Sequence, residues 1–210
     1  MRFFIDTEFK EYFKQHRIFG LPVGYKTPTI DLISIAMVAE NGSQIYLLNK
    51  ECDLKEAWKD EWLQVNVLLP IYKHKVHGDM RNVADFTYNT MKWIFRGFGK
   101  TRSEIASTII AFVHDSKDKD EPQFYGYYSD YDWVVFCQLF GRMIDLPKGF
   151  PMYCIDLKQM MDDLNLGEMW KSAYHPNPIG EHNAIVDAMW NMELYKKLRC
   201  LHRGIDLVRV

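Results

Sequence analysis

Residues 29–49, TIDLISIAMVAENGSQIYLLN, hold two runs of β-branched and apolar residues that meet at Asn41-Gly42. Asn-Gly supplies the two positive-φ positions of a tight hairpin, so this segment commits its part of the chain to an antiparallel pair. The chain opens with another run of this kind, MRFFIDTEFKEY, in which residues 2–9 read as a short buried strand. Three antiparallel strands are therefore expected first. Side chains alternate between faces along a strand, so Asp6 and Glu8 share one face. Two like charges at a partly buried strand end cost free energy unless a proton or a cation lies between them.

The pattern changes downstream. Residues 51–105 are less legible, with one or two helices expected in DLKEAWKDEWLQVNVLLPIY and a basic loop in KHKVHGDMRN. Ile105, Ile109, Ile110 and Val113 fit one face of a helix over 103–114. After the charged turn DSKDKDEP, PQFYGYYS reads as a strand and DWVVFCQLFGRM as a helix. MYCID reads as a short strand, LKQMMDDL as a helix, and residues 183–198 as a last amphipathic helix with Asn183 as its cap. Strands first, then helix and strand in alternation, give an α/β layer around a mixed central sheet flanked by helices.

A chain of 210 residues with 48% hydrophobic and 15% aromatic content can bury one substantial core, so one domain over 1–210 is expected. No apolar run reaches bilayer length and the N-terminus has no signal-peptide pattern, which points to a cytoplasmic protein with no membrane partner. Cys52, Cys137, Cys154 and Cys200 are scattered, which suits reduced core thiols rather than bridges or a zinc site. A net charge of −2 argues against a protein that coats duplex nucleic acid through its overall field, while a local basic groove stays open. Oligomeric state stays open as well, a homodimer included.

Two further carboxylates fall at element boundaries. Asp132, in YYSDYDWVVF, lies where a strand hands over to a helix, with Asp130 as a competitor two residues away. Asp187, in GEHNAIVDAMW, lies in the first turns of the last helix, five residues after His182. His74 and Asp79 repeat that spacing in the less legible middle segment, so chain order has to separate the two pairs.

The blocks FIDTEF, YSDYDWVVF and EHNAIVDA, in this order, resemble the DEDD superfamily of 3'-5' exonucleases in its histidine-bearing branch (DEDDh). The tyrosine-bearing branch would need Tyr where Asn183 stands. The chain looks most like the small polyadenylate-specific 3'-exoribonuclease family, with oligoribonuclease and ribonuclease T more distant. The resemblance implies a ribonuclease-H-like fold, release of nucleoside 5'-monophosphates, and two Mg²⁺ or Mn²⁺ ions on Asp6, Glu8, Asp132 and Asp187. It gives His182 the role of base. Phosphodiester hydrolysis suits such a set, because two ions about 3.5–4 Å apart can clamp attacking and leaving oxygens, and hard ions prefer carboxylates.

Substrate contacts are read from residue type and neighbourhood. Unpaired bases stack on aromatic faces, so Phe9 beside the first carboxylates, Trp133 beside Asp132, and Tyr174 with His175 ahead of His182 are the candidates, and Thr7, between the two carboxylates, joins them by position. For Trp133, core packing is an equal alternative. The expected substrate is single-stranded nucleic acid, RNA favoured over DNA. A DNA exonuclease of the same fold and a catalytically silent binding module remain the other readings.

Overall fold

The computed structural model describes residues 1–75, 83–116 and 121–204. In chain order it contains β1 (Arg2–Lys14), β2 (Arg17–Ile18), β3 (Leu21–Pro22), β4 (Thr27–Ala39) and β5 (Gln44–Leu48). Helices α1 (Leu54–Trp58), α2 (Glu61–Leu63) and α3 (Leu69–Lys75) follow, a π-turn over Gln64–Leu68 joining the last two. Then come α4 (Tyr88–Phe98), α5 (Arg102–Ser116), β6 (Gln123–Gly126), α6 (Asp130–Gln138), β7 (Ile155–Asp156), α7 (Leu157–Asp163), α8 (Glu168–Tyr174) and α9 (Ala184–His202).

The central sheet is mixed, in the order β5-β4-β1-β6-β7. β1 pairs antiparallel with β4 and β4 with β5, while β1, β6 and β7 run parallel. Alternation along β1 builds two cores. Phe3 and Ile5 face the α5 and α6 side, with Phe124 and Phe136. Phe4 faces α9, where Ala36, Ala184 and Ala188 keep the surfaces close. A third cluster packs Ile33 and Leu48 under α1–α4, through Val67, Ile71, Met91 and Ile94.

The hairpin forms at Asn-Gly, but only Gly42 is left-handed, φ +88°; Asn41 keeps negative φ, and its side-chain oxygen accepts the Ser43 amide at 2.9 Å while the Gly42 amide donates to the Ala39 carbonyl at 2.8 Å. Expectation and structure differ in several places: the strand in MYCID shortens to Ile155–Asp156, and the helix in DWVVFCQLFGRM ends at Gln138. β1 continues past Phe9 to Lys14, and its outer half is paired with β4 rather than buried. Residues 17–22 form a two-stranded pair too short to leave a periodic signature. α8 was not expected. On α5, Ile105, Ile109 and Val113 are buried one turn apart, but Ile110 points to solvent. The basic run around His77, the Asp79 of the repeated spacing, and the turn at 117–120 lie outside the described residues.

Among the described residues the four cysteines are free, and no helix is long and apolar enough to cross a membrane.

Candidate active site

Parallel strands aligned with β1 bring three chain segments to one sheet edge, at the carboxyl ends of β1 and β6. β1 delivers Asp6 and Glu8 on its α9-facing side, opposite Ala36 and Ser34 of β4, whose small side chains leave room. A register shift follows immediately between Glu8 and Phe9, the kind of irregularity that re-aims side chains beside a site. α9 is pinned to the same strand by the Asn191 amide, which donates to the Ile5 carbonyl at 2.9 Å. Asp187 stands one turn earlier on α9 and so faces Glu8. One ligand oxygen from each of Asp6, Glu8 and Asp187 lies within 4.8 Å of the others.

Asp132 reaches the cleft from the other side of the sheet. It lies in the first turn of α6, and its Oδ1 accepts the Thr7 amide at 2.8 Å and the Thr7 hydroxyl at 2.5 Å. The turn before it is tight. A Cβ on Gly126 would lie 2.6 Å from the Ser129 Cβ, and the Asp156 carboxylate accepts the Ser129 amide at 2.8 Å. Asp132 is thus held apart from the close triplet but lines the same cleft, whereas Asp130 is exposed and does not line it.

These carboxylates strain against one another. Burial, and then the charges of Asp132, Glu8 and Asp187, push Asp6 well above the usual carboxylate range. Burial, with Asp187 and Asp132, does the same to Glu8. Burial raises Asp132 to about 6 against the two Thr7 hydrogen bonds, and raises Asp187 to about 7 against backbone N–H groups of His182 and Asn183. Buried acceptor-only groups in this state attract a positive partner.

The cleft, about 520 Å³, is also lined by Phe9, Trp62, Tyr127, Tyr128, Lys171, His182 and Trp190. His182 adopts φ +65°, a left-handed conformation rare for a non-glycine, and its ring meets that of Trp62 in a T-shaped contact with centroids 4.8 Å apart. Asn183 occupies the helix cap position without capping; its buried Oδ1 has no partner among the described residues, and Asp187 takes the loop amides instead. Lys171 lies over the Tyr127 and Trp190 rings at 5.2 and 5.6 Å.

Three of the expected substrate contacts lie away from the cleft. Trp133 is 8% exposed and stacks on Phe136 at 4.8 Å, with its indole N–H donated to the Met152 carbonyl. The residue after a helical cleft residue points some 100° away from it, here into the core. Tyr174 stacks on Trp170 at the end of α8 and does not line the cleft. His175 is 5% exposed, its Nε2 3.0 Å from the Trp190 carbonyl and its Nδ1 3.2 Å from the Lys197 ammonium. This fixes a neutral ring that donates from Nε2 and accepts at Nδ1. Phe9 does line the cleft, and Thr7 does so while its hydrogen bonds go to Asp132. Trp62, Tyr127, Tyr128 and Lys171 were missed; adjacent aromatics in YGYYS were the one available signal.

Burial, ahead of the Lys197 charge, lowers His175 to about 4. Its pKa is lower folded than unfolded, so it contributes stability that is present above pH 6.5 and lost as pH falls toward 4. Between pH 7 and pH 4, urea unfolding of the native protein should lose on the order of 2 kcal/mol relative to His175→Gln, after allowance for screening. Parallel curves for the two proteins would refute a buried neutral histidine.

The family model for the 3'-5' exoribonuclease Rv2179c-like domain matches residues 23–198 of the chain. That span holds Asp132, His182 and Asp187; Asp6 and Glu8 precede it and join them through the fold. The chain is also 29% identical over 191 residues to two curated Mycobacterium tuberculosis proteins. They are 3'-5' exoribonuclease MT2234.1 of strain CDC 1551 / Oshkosh and 3'-5' exoribonuclease Rv2179c of strain ATCC 25618 / H37Rv. The alignment covers 90% of this chain and 87% of each relative.

Proposed function

The chain belongs to the Rv2179c-like 3'-5' exoribonuclease domain family, and from that premise we propose that it trims single-stranded RNA from the 3' end by metal-dependent hydrolysis, releasing nucleoside 5'-monophosphates. The observation that carries the reading is the convergence of Asp6, Glu8 and Asp187 oxygens within 4.8 Å, with Asp132 and His182 lining the same cleft. That set, on a mixed sheet flanked by helices, is consistent with the histidine-bearing DEDD arrangement on a ribonuclease-H-like fold.

The donor set fits hard divalent ions. It offers carboxylate oxygens without thiolate, and its crowded charges are relieved by a cation. Asp6, Glu8 and Asp187 would hold one Mg²⁺ or Mn²⁺, and Asp6 with Asp132 would support a second. When bound, such a pair supplies an activated water and charge stabilisation at the phosphate. The protein's own groups supply the rest. The His182 imidazole takes the proton of the attacking water at a ring nitrogen, a task suited to a neutral imidazole placed in the cleft. Thr7 fixes Asp132. Phe9 and Trp62 offer faces for the terminal base, and Lys171, the sole Lys or Arg among the described cleft residues, offers a positive charge to a phosphate.

Incubation of end-labelled RNA and DNA oligonucleotides with Mg²⁺ or Mn²⁺ tests this. RNA should shorten one nucleotide at a time from the 3' end and yield 5'-monophosphates; EDTA should abolish the reaction, and Ca²⁺ should support it poorly because of its larger, looser coordination. Sustained hydrolysis in EDTA would remove the metals from the proposal, and exclusive cleavage of DNA would remove the RNA.

A further inference from the structure

Outside the cleft lies a second concentration of exposed aromatics, on the outer halves of β1 and β4 and the small β2–β3 pair that tips them. Phe13, Phe19 and Tyr25 are 69%, 101% and 93% exposed there, a density of bared rings that marks an interaction surface. Three cations, Lys14, Arg17 and Lys26, are interleaved with them, against Glu11 and, at the base of the ribbon opposite Lys10, Asp31. None of the three makes an ion pair among the described residues, whereas Lys10, nearer the sheet, pairs with Asp60. The ribbon is thus positive on a chain whose net charge is −2.

The ribbon is a built element. The Gln15 amide donates to the Val23 carbonyl at 3.1 Å, the Val23 amide donates to the His16 carbonyl at 2.8 Å, and the His16 ring meets the Thr27 hydroxyl at 3.1 Å. Phe19 and Gly20 form its two-residue turn with φ +49° and +81°. Asn or Gly ordinarily fills the first of these positions, and here an aromatic ring is presented wholly to solvent. The ribbon also leads back to the carboxylates. Phe9 lines the cleft, its ring lies 5.9 Å from that of Tyr131, and Tyr131 lines a groove at the ribbon's base with Tyr12, Phe13 and Ile30.

We infer that this ribbon and the groove at its base are a docking track for the single-stranded RNA behind the 3' end. Unpaired bases stack on the rings and phosphates meet the cations. Positive ribbons from two copies of the chain would repel, so charge complementarity favours nucleic acid over self-association. The inference rests on the exoribonuclease reading and adds that substrate length is sensed outside the cleft.

The full chain, Phe19→Ala and the triple variant Lys14→Glu, Arg17→Glu, Lys26→Glu are compared on fluorescein-labelled oligoadenylates of two and twelve nucleotides. Binding is read by anisotropy in EDTA and KM with Mn²⁺. The native protein should favour the twelve-mer, and Phe19→Ala should cut that advantage roughly tenfold, the lower range of one lost stacked base. The triple variant should cut it in the same direction. In the triple variant the slope of log affinity against log salt should flatten by about 2, from about 0.7 per phosphate contact on a single strand. Equal KM for both lengths in the native protein, or an advantage that survives both changes, overturns the track and leaves the exoribonuclease reading standing. A triple variant that sediments as a monomer where the native protein is a dimer, with both lengths affected alike, assigns the ribbon to self-association and overturns it too. Failure of the native protein to degrade either length defeats the underlying reading itself.

Discussion

Asp6→Asn is expected to abolish turnover while raising the melting temperature of the protein held in a chelator. Asp6 has Glu8 and Asp187 oxygens within 4.8 Å, and burial together with those neighbours and Asp132 holds its carboxyl well above the usual range. A group whose pKa is higher folded than unfolded contributes stability that is present at acidic pH and lost as pH rises through the folded value. For this cluster the loss runs from about pH 4 upward, through about 6 for Asp132 and about 7 for Asp187. At neutral pH the chelated fold therefore carries mutual repulsion, and replacing one carboxylate by a neutral amide relieves part of it. A gain of about 1 kcal/mol corresponds to roughly 2–4 °C in a chain of this size.

With saturating Mn²⁺ the order reverses. Binding to the folded state alone stabilises the native protein by about 2.7 kcal/mol at a hundredfold excess over Kd, and Asp6→Asn forfeits that together with at least roughly 10³-fold in rate. Thermal unfolding of both proteins in EDTA and in Mn²⁺ gives the four melting temperatures needed. If the Asn variant melts lower than the native protein in EDTA, Asp6 makes a structural bond that outweighs the repulsion, and the reading of the cluster as a cation site loses its main support.

The parts of this site that could be read from sequence were those set by local periodicity. Asp6 and Glu8 share a face because strands alternate, and Asn41-Gly42 turns the hairpin because of its backbone freedom; neither depends on distant residues. Asp187 and His182 stand out through chain order and the family resemblance, since their spacing alone recurs at His74 and Asp79, and Asp132 through its position at a strand–helix junction. What failed was direction. Trp133 adjoins a cleft residue in sequence and points into the core, and His175 precedes His182 by seven residues yet is locked against Trp190 and Lys197. Side-chain direction from a helix or loop is decided by what packs beneath it, which the one-dimensional pattern does not contain. Trp62 and Lys171 come from α2 and α8, short helices whose place at the cleft is set by tertiary packing alone. The ribbon tip has no signature in the sequence because strands of two residues carry no period.

His182→Ala should slow turnover by roughly 10²–10⁴-fold, the usual worth of a positioned proton acceptor, while keeping the Mn²⁺-dependent rise in melting temperature that Asp6→Asn loses. The separation follows from geometry. The His182 ring lines the cleft against Trp62 and contributes no atom to the close carboxylate triplet, whereas its backbone N–H serves Asp187. Substituting the side chain leaves that N–H in place, but alanine tolerates φ +65° poorly, so a fall in rate from Ala alone could reflect a relaxed loop. His182→Asn resolves this, because asparagine accepts the left-handed conformation and cannot serve as a base at neutral pH. If the imidazole moves the proton, Asn and Ala slow turnover alike at saturating metal and substrate. A rate restored by Asn and lost with Ala would assign His182 to holding the Asp187 loop and take the proton transfer away from it.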